Sequence, residues 1–590
     1  MSAEALGPEE LSARRRRGAE LIGAPSGPGG ELAVLSTFNV DLLAPFLAEA
    51  LDRHGVGARL WLAGFGQLAA EIANPASDLY ARAPGDVLLV PAPEDLLAPL
   101  YAGDGAADPL ELVAERVDEL RGQVQTLLER LPGATIHIAV MGADRAPNEH
   151  LLAPAAAGRG QAALAHLDAA IRELGELGGR VVIADFDWAA RQVGRAAVQD
   201  ARLWYLGRMR LNPAGHALLA DVVAAGVAVQ RGVGRHKVLA VDLDDTLWGG
   251  VVGEVGATGV QVGEEGVALA FQDFQRELVR LQNSGVLIVL CTKNDPGYAL
   301  EAFDHPSMVL RREHIVAERI NWQDKATNLR ELAEELDLGL DSFVFLDDNP
   351  REREWIRQAL PMVTVPELPT DPTKRPAFVA RGGWFRMLTV TDADRMRGAS
   401  YRAQGHRRRA RTSAASFEDY VASLEQRLRV EPVTDVTVQR ATQLCQRTNQ
   451  FNLTTRRHTQ ADVERMLGDP AYDLVTLSVG DRFGDSGITG LAITVHADEQ
   501  AELDTLLLSC RVLGRKVEDA FLAVLARRAR DRGARMLLGV YEPTDRNAQV
   551  AAFFRDRGFT PTGDRSWQLD LESGLPQPPA QLTIEEATYA

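Results

Sequence analysis

The stretch Lys237-Val238-Leu239-Ala240-Val241-Asp242-Leu243-Asp244-Asp245-Thr246 constrains this chain more than any other. Val238 to Val241 is a short, wholly apolar run, read as a strand buried on both faces in a parallel sheet covered by helices. The run stops at three carboxylates and a hydroxyl. In open α/β sheets, ligands bind beyond the carboxyl ends of the strands. Carboxylates this close repel one another unless a cation lies among them. Oxygen ligands favour Mg2+, which takes one or two carboxylates, keeps waters and receives substrate phosphate. Taken alone, an acidic loop after a strand is the plainer reading, so the partners of this stretch decide.

Val286 to Leu290 is a second apolar run and delivers Cys291-Thr292-Lys293-Asn294. Phe343 to Leu346 is a third and delivers Asp347-Asp348-Asn349-Pro350. Between them lies Asn321-Trp322-Gln323-Asp324-Lys325. This order of strand-carboxylates, strand-hydroxyl, lysine and strand-carboxylates resembles motifs I to IV of the haloacid-dehalogenase-like (HAD) superfamily of phosphotransferases. The resemblance implies a Rossmannoid parallel sheet with Asp242 as the nucleophile that takes phosphate and Asp244 as the general acid/base. It implies Thr292 and Lys325 as holders of phosphoryl oxygens, and Asp242, Asp244, Asp347 and Asp348 around Mg2+. Phosphoryl transfer needs such a positioned nucleophile among cations.

Cys291 is read in two ways. A cysteine ending a buried strand is commonly a small apolar side chain. A thiol beside a phosphate-binding threonine and a lysine is instead a candidate nucleophile, and phosphate site and thiolate together suit an acyl phosphate: the thiolate attacks the carbonyl, phosphate leaves and a thioester remains. The blocks Asp242 to Glu254, Cys291 to Asn294, Asp347 to Pro350 and Thr448-Asn449-Gln450-Phe451-Asn452-Leu453-Thr454-Thr455-Arg456-Arg457 together resemble the FkbH-like family over nearly the whole chain. That family implies a glyceryl transferase/phosphatase of polyketide and antibiotic biosynthesis. Its members take 1,3-bisphosphoglycerate, remove phosphate and load the glyceryl group onto the phosphopantetheine arm of an acyl carrier protein. By resemblance Cys291 carries the thioester and the aspartates remove the 3-phosphate. Asp245 stands where many relatives carry asparagine. The segments after Thr246 and between Thr292 and Lys325 are too short for a large cap, which leaves an open mouth for a carrier's arm.

At 590 residues the chain is expected to hold several domains. Net charge of −18 disfavours general nucleic-acid binding and anionic membranes. No apolar run is expected to reach membrane-spanning length, and the N-terminus lacks a signal-peptide core. Three cysteines, Cys291, Cys445 and Cys510, do not make a disulfide framework, which points to the cytoplasm; Cys445 and Cys510 are read as structural.

Residues 1–230 read as a doubly wound α/β domain. The basic run Arg14 to Arg17 reads as a solvated helix face, and Ser26 to Gly30 as a turn or linker. Expected strands are Leu32–Leu35, Ala58–Leu62, Val87–Val90, Ile136–Val140 and Val181–Ala184, with helices at Leu42–His54 and Asp108–Leu131. Ser36 after the first strand and His216 before the last helix resemble the order in SGNH-type hydrolases, without their Gly-Asp-Ser. A degenerate docking domain is the reading adopted. Residues 231–375 are expected, from the resemblance, to be the HAD-like domain and 376–430 a linker. Within the linker, His406-Arg407-Arg408-Arg409-Ala410-Arg411 reads as a solvated face or a dock for an acidic carrier.

Residues 431–590 read as an α/β domain resembling N-acetyltransferases of the GNAT type. Strands at Asp473–Val479, Gly487–Val495 and Leu503–Ser509 precede Cys510-Arg511-Val512-Leu513-Gly514-Arg515-Lys516 and a helix over Val517–Arg532. That loop resembles the segment that grips the coenzyme A pyrophosphate at a helix N-terminus, so Arg511, Gly514 and Arg515 become candidates for binding the phosphopantetheine arm. A last helix is expected near Val550–Phe554, and a flexible tail after Ser573. Three rivals stay open: a HAD phosphatase without acyl transfer, a GNAT-type acyltransferase with a vestigial HAD domain, and a non-catalytic docking protein. Lactyl or phosphoglycolyl groups are alternatives to glyceryl.

Overall fold

The computed structural model describes residues 6–22, 30–102, 108–144, 154–234, 236–448 and 450–587. The turn expected over Ser26–Gly29, Asn449 and the Cys510 side chain lie outside the described residues. The chain forms two compact units. One comprises Met1–Ser284, His305–Val309 and Gly339–Thr391; the other comprises Gly285–Asp304, Leu310–Leu338 and Asp392–Ala590.

In the first unit, β1 (Glu31–Ser36), β2 (Arg59–Leu62), β3 (Asp86–Val90), β4 (Thr135–Ala139) and β5 (Val181–Ala184) pair in parallel in the order β2-β1-β3-β4-β5. Successive strand residues point to opposite faces. Leu32 and Val34 pack with the helices Leu43–Arg53 and Pro213–Gln230. Ala33 and Leu35 pack on the other side with Pro109–Arg130 and Pro154–Glu173. Helices on both faces of a parallel sheet make the expected doubly wound arrangement. Helix Pro109–Arg130 starts where Asp108 accepts a hydrogen bond from the Leu110 N–H, with Pro109 in the first turn.

Two expectations are corrected here. Helix Pro213–Gln230 is long and apolar enough to cross a membrane by length and composition, yet 67% of it is buried within the protein, as the core helix of this sheet. Arg14 does not sit on a solvated face: its guanidinium pairs with Glu49 at 2.7 Å and Asp221 at 2.5 Å. Carboxylates reaching the helix from elsewhere in the unit turn that arginine inward.

The next four strands are β6 (Val238–Val241), β7 (Leu287–Thr292), β8 (Ile315–Ile320) and β9 (Phe343–Leu346). β6 and β9 belong to the first unit and pair in parallel, Val238 opposite Phe343 and Val241 opposite Leu346. β7 and β8 belong to the second unit and pair in parallel, Cys291 opposite Arg319 and Thr292 opposite Ile320. Cys291 and Thr292 therefore lie within a strand, not after it.

The rest of the second unit carries β10 (Arg427–Pro432), β11 (Phe451–Asn452), β12 (Tyr472–Asp481), β13 (Gly484–Ala497), β14 (Gln500–Leu508), β15 (Met536–Val540), β16 (Thr560–Pro561), β17 (Ser566–Asp570) and β18 (Thr583–Glu586). Their order is β16-β17-β15-β14-β13-β12-β10-β18, with β11 pairing on β14. Val475, Leu477 and Val479 of β12 pack with helix Val517–Asp531, and Leu474 packs on the other face with helices Val438–Arg447 and Gln460–Leu467.

The segment after Ser573 is not a free tail, because β18 pairs in parallel with β10 and covers what would be an open edge. No helix runs over Val550–Phe554. Two 3₁₀ turns, Ala548–Val550 and Arg555–Arg557, flank the buried Phe553 and Phe554 instead. The basic run lies on helix Arg397–Ser413 and is split: Arg407 is bound to the buried Asp481 at 2.6 Å, while Arg408, Arg409 and Arg411 are exposed.

Candidate functional site

The first unit gathers the acids. The Asp242 N–H donates to the Leu346 carbonyl at 3.0 Å, which extends the β6–β9 pairing by one residue. Asp242 and Asp347 consequently leave neighbouring strand ends side by side. Oxygens of Asp242, Asp347 and Asp348 all lie within 4.8 Å of one another, the one such trio among the described residues. Asp242 and Asp347 are buried and Asp348 partly so. Burial, and then the neighbouring Asp242, push the Asp348 carboxyl above its ordinary range. A divalent cation among these oxygens would offset both costs.

The loop after β6 is held by a set of local bonds. Thr246 Oγ1 donates to Asp348 Oδ1 at 3.2 Å and accepts from the Asp348 N–H at 3.0 Å. Asp244 stands apart from the trio: its Oδ1 accepts from Trp248 Nε1 and from the Val252 N–H, each at 3.0 Å. Asp245 adopts a left-handed φ of 49°, and its Oδ1 accepts from the Gly250 N–H at 2.7 Å. At Gly249 the loop needs glycine, since a Cβ would meet the Phe271 ring and the Gln261 side chain at 2.9 Å. Asn349 caps the following helix, Pro350–Ala359, by accepting from the Arg351 N–H at 3.0 Å.

The second unit brings together Cys291, Thr292 and Lys325. All three are buried. The Cys291 thiol lies 3.7 Å from the Lys325 carbonyl, to which it donates. Lys325 opens helix Lys325–Leu336, capped by Asp324 through the Thr327 N–H. The Thr292 carbonyl accepts from the Asn321 N–H at 3.3 Å, and the Asn321 and Asn328 amides exchange bonds of 3.1 and 3.0 Å. Trp322, beside them in sequence, is 74% exposed.

The third predicted group is divided. Gly514 has a φ of 67° and lines a cavity of about 180 Å3 with Phe451, Glu518, Phe553 and Arg557. Arg511 is exposed, whereas Arg515 is 4% exposed and turned into the domain, where it shares Asp481 with Arg407. The first turn of helix Val517–Asp531 holds Glu518 and Asp519, and burial raises the Glu518 carboxyl above its ordinary range. Acids in a helix's first turn answer its positive end and leave less for an anionic diphosphate.

Ser36 and His216 make separate contacts. Ser36 Oγ donates to the Val90 carbonyl and accepts from the Phe38 N–H, both at 3.2 Å. His216 Nδ1 faces the Asn212 carbonyl at 3.0 Å, and its other ring nitrogen is buried without a hydrogen bond.

Arg353 and Arg375 are not among the sequence candidates. Arg353 donates to the carbonyls of Asp347 and Asp348, and Arg375 to that of Asp245. Arg353 had a faint signal, an arginine one turn after Asp347-Asp348-Asn349-Pro350. Arg375 had none.

No protein-family model matches the chain, and no curated protein matches it. Among solved structures, the chain is similar to the N-terminal part of the protein BF1531 from Bacteroides fragilis, which contains a phosphatase domain and was crystallised with Mg. Identity is 27%, the match covers 65% of this chain and 99% of that one, and the TM-score is 0.57. A likeness to the ribosomal-protein-S18-alanine N-acetyltransferase of Escherichia coli has 14% identity, 24% of this chain, 94% of that chain and a TM-score of 0.20. The GNAT domain of S. lividans PAT gives 20%, 24%, 89% and 0.20.

Proposed function

We propose that this chain is a Mg2+-dependent HAD-type phosphatase and acyl transferase of the FkbH-like kind. In this reading it takes 1,3-bisphosphoglycerate, dephosphorylates it and loads the glyceryl group through a cysteine thioester onto an acyl carrier protein for polyketide biosynthesis. The observation that carries the phosphatase half is the convergence of Asp242, Asp347 and Asp348 within 4.8 Å. It is supported by the similarity to a part of BF1531 that contains a phosphatase domain and was crystallised with Mg. The transfer half rests on the sequence resemblance of the blocks around Cys291 and Thr448–Arg457.

Asp242, Asp347 and Asp348 are the residues suited to hold Mg2+, which when bound supplies positive charge against the phosphoryl group. The Cys291 thiolate attacks the C1 carbonyl carbon; the bond to the acyl-phosphate oxygen breaks, and inorganic phosphate leaves with the electron pair. Asp242 attacks the phosphorus of the 3-phosphate, while Asp244 protonates the departing glyceryl oxygen. Water, deprotonated by Asp244, then releases phosphate from Asp242. Thr292 and Lys325 hold phosphoryl oxygens. The carrier's phosphopantetheine thiol finally displaces Cys291 from the thioester. In the same reading residues 231–375 act as the HAD-like domain, 1–230 as an SGNH-like dock, 376–430 as a linker and 431–590 as a GNAT-like holder of the arm through Arg511 and Gly514, all in the cytoplasm.

The test is intact mass after mixing the protein with freshly generated 1,3-bisphosphoglycerate and Mg2+, with Cys291→Ala and a phosphopantetheinylated carrier in parallel. A glyceryl adduct on the wild type, absent from the variant and passed to the carrier, supports the thioester route. Phosphate release by the variant with no adduct on either protein would sink that route. The second reading, a phosphatase without acyl transfer, is favoured by one feature: the Cys291 thiol is buried against the Lys325 carbonyl, as a packing cysteine is.

A further inference from the structure

Behind the three carboxylates of the first unit lie two buried guanidinium groups whose hydrogen bonds end mainly on backbone carbonyls. Arg353 is 5% exposed; it donates to the Asp347 carbonyl at 2.8 Å and the Asp348 carbonyl at 2.7 Å. Its own helix explains this, because Pro350–Ala359 starts just after those residues and a side chain one turn in folds back over them. Arg375 is 3% exposed and comes from elsewhere, the start of helix Arg375–Arg381. Its Nη1 donates to the Asp245 carbonyl at 2.6 Å and its Nε to the Pro369 carbonyl at 2.9 Å. The group lies 5.6 Å from the centre of the Phe271 ring.

Asp245 is a residue that needs holding. A left-handed backbone is strained for a non-glycine residue and persists only where its surroundings fix it. Here the Gly250 N–H holds the side chain and Arg375 holds the carbonyl. Asp245 stands between Asp244 and Thr246, and the Thr246 hydroxyl bonds Asp348. A turn that relaxed at Asp245 would swing the Asp244 carboxylate and loosen Thr246 from Asp348.

We propose that Arg375 is a positioning residue for this site: through the Asp245 carbonyl it fixes the turn that presents Asp242, Asp244 and Thr246. The inference rests on the phosphatase half of the reading above and is independent of acyl transfer. A turn displaced by a fraction of an ångström to 1 Å is expected to cut kcat on the order of 100-fold while leaving KM nearly unchanged.

The test uses the full chain and p-nitrophenyl phosphate with Mg2+, comparing wild type, Arg375→Ala and Arg375→Lys, with unfolding temperature recorded for each. The expected result is loss of kcat in both variants and recovery of Arg375→Ala by low-millimolar guanidinium, which refills the vacated place. At low-millimolar concentration guanidinium has no measurable denaturing effect, so a variant that is merely destabilised would gain no activity from it, and absence of recovery overturns the proposal. Equal kcat in wild type and both variants overturns it too, while leaving the phosphatase reading intact. Should Arg375→Ala fail to fold, Arg375→Lys keeps the charge and most of the volume; full kcat in that variant refutes a role for the guanidinium fork. A wild type that releases no phosphate with Mg2+ from p-nitrophenyl phosphate or from 1,3-bisphosphoglycerate removes the phosphatase reading itself, and the inference with it.

Discussion

His216 offers a sharp test of how burial sets the acid stability of the first unit. The ring is 0% exposed on helix Pro213–Gln230. Nδ1–H has the Asn212 carbonyl as its partner, and Nε2 has none. Protonation would place a charge and an unsatisfied N–H in the core, so burial lowers the pKa from the ordinary 6.5 to about 4. The sign follows directly. Below pH 6.5 the unfolded chain binds a proton at this ring and the folded chain does not, so stability falls as pH drops through the window from 6.5 to about 4. Between pH 7 and pH 4.5 this one group removes roughly 2–3 kcal/mol, which is on the order of a 60-fold change in an opening equilibrium. The assay is hydrogen exchange of a peptide spanning 213–230, corrected for the intrinsic chemical rate, at both pH values. His216→Phe, which cannot titrate, should lose far less protection than wild type over the same interval. Parallel losses in the two proteins would refute the argument that an unpaired buried imidazole controls this helix.

Other expectations are direct. The Cys445 thiol is pushed up to about 11 by burial, so at pH 8 it should resist iodoacetamide in the folded protein and react only after denaturation, read by peptide mass spectrometry. Asp481→Ala leaves the buried Arg407 and Arg515 without their shared partner and should cost the second unit about 3–5 kcal/mol in urea unfolding. Gly215→Ala drives a Cβ onto the Val198 carbonyl oxygen and should lower the thermal midpoint of the first unit, corresponding to about 1–3 kcal/mol. Removing divalent cations with EDTA, or Asp347→Asn, should abolish phosphate release under the proposed reading, with Mg2+ restoring only the wild type.

Much of the framework was legible because its signals are local. β6 and β9 are short apolar runs cut off by acids, and helix Pro109–Arg130 shows a continuous stripe with a capping aspartate and a proline in place. The acid trio was legible because strand ends carry ligands and the three residues follow two such ends. β8 was hidden because Glu318 and Arg319 interrupt its apolar run; Arg319 is satisfied by Glu331 and Glu335, which only the folded chain supplies. Arg14 and Arg407 looked like solvated cations for the same reason, since their partners lie on other elements. Arg515 was misjudged from a loop pattern that says where a side chain starts and not where it ends. β18 was missed because a strand at a sheet margin needs little apolar content, only an unpaired edge to meet. Arg375 acts on a carbonyl, and no residue type records that a carbonyl needs a partner.

The bond from Arg375 to the Asp245 carbonyl also orders events in time. The two residues are 130 positions apart. At ordinary rates of synthesis that separation is roughly 6–26 seconds of translation. Through that interval the left-handed turn at Asp245 has emerged and its distal clamp has not been made. A nascent chain paused between Asp348 and Arg375 would carry the full set of acids with one end of their turn untied, and the turn could be closed only when the helix beginning at Arg375 left the ribosome.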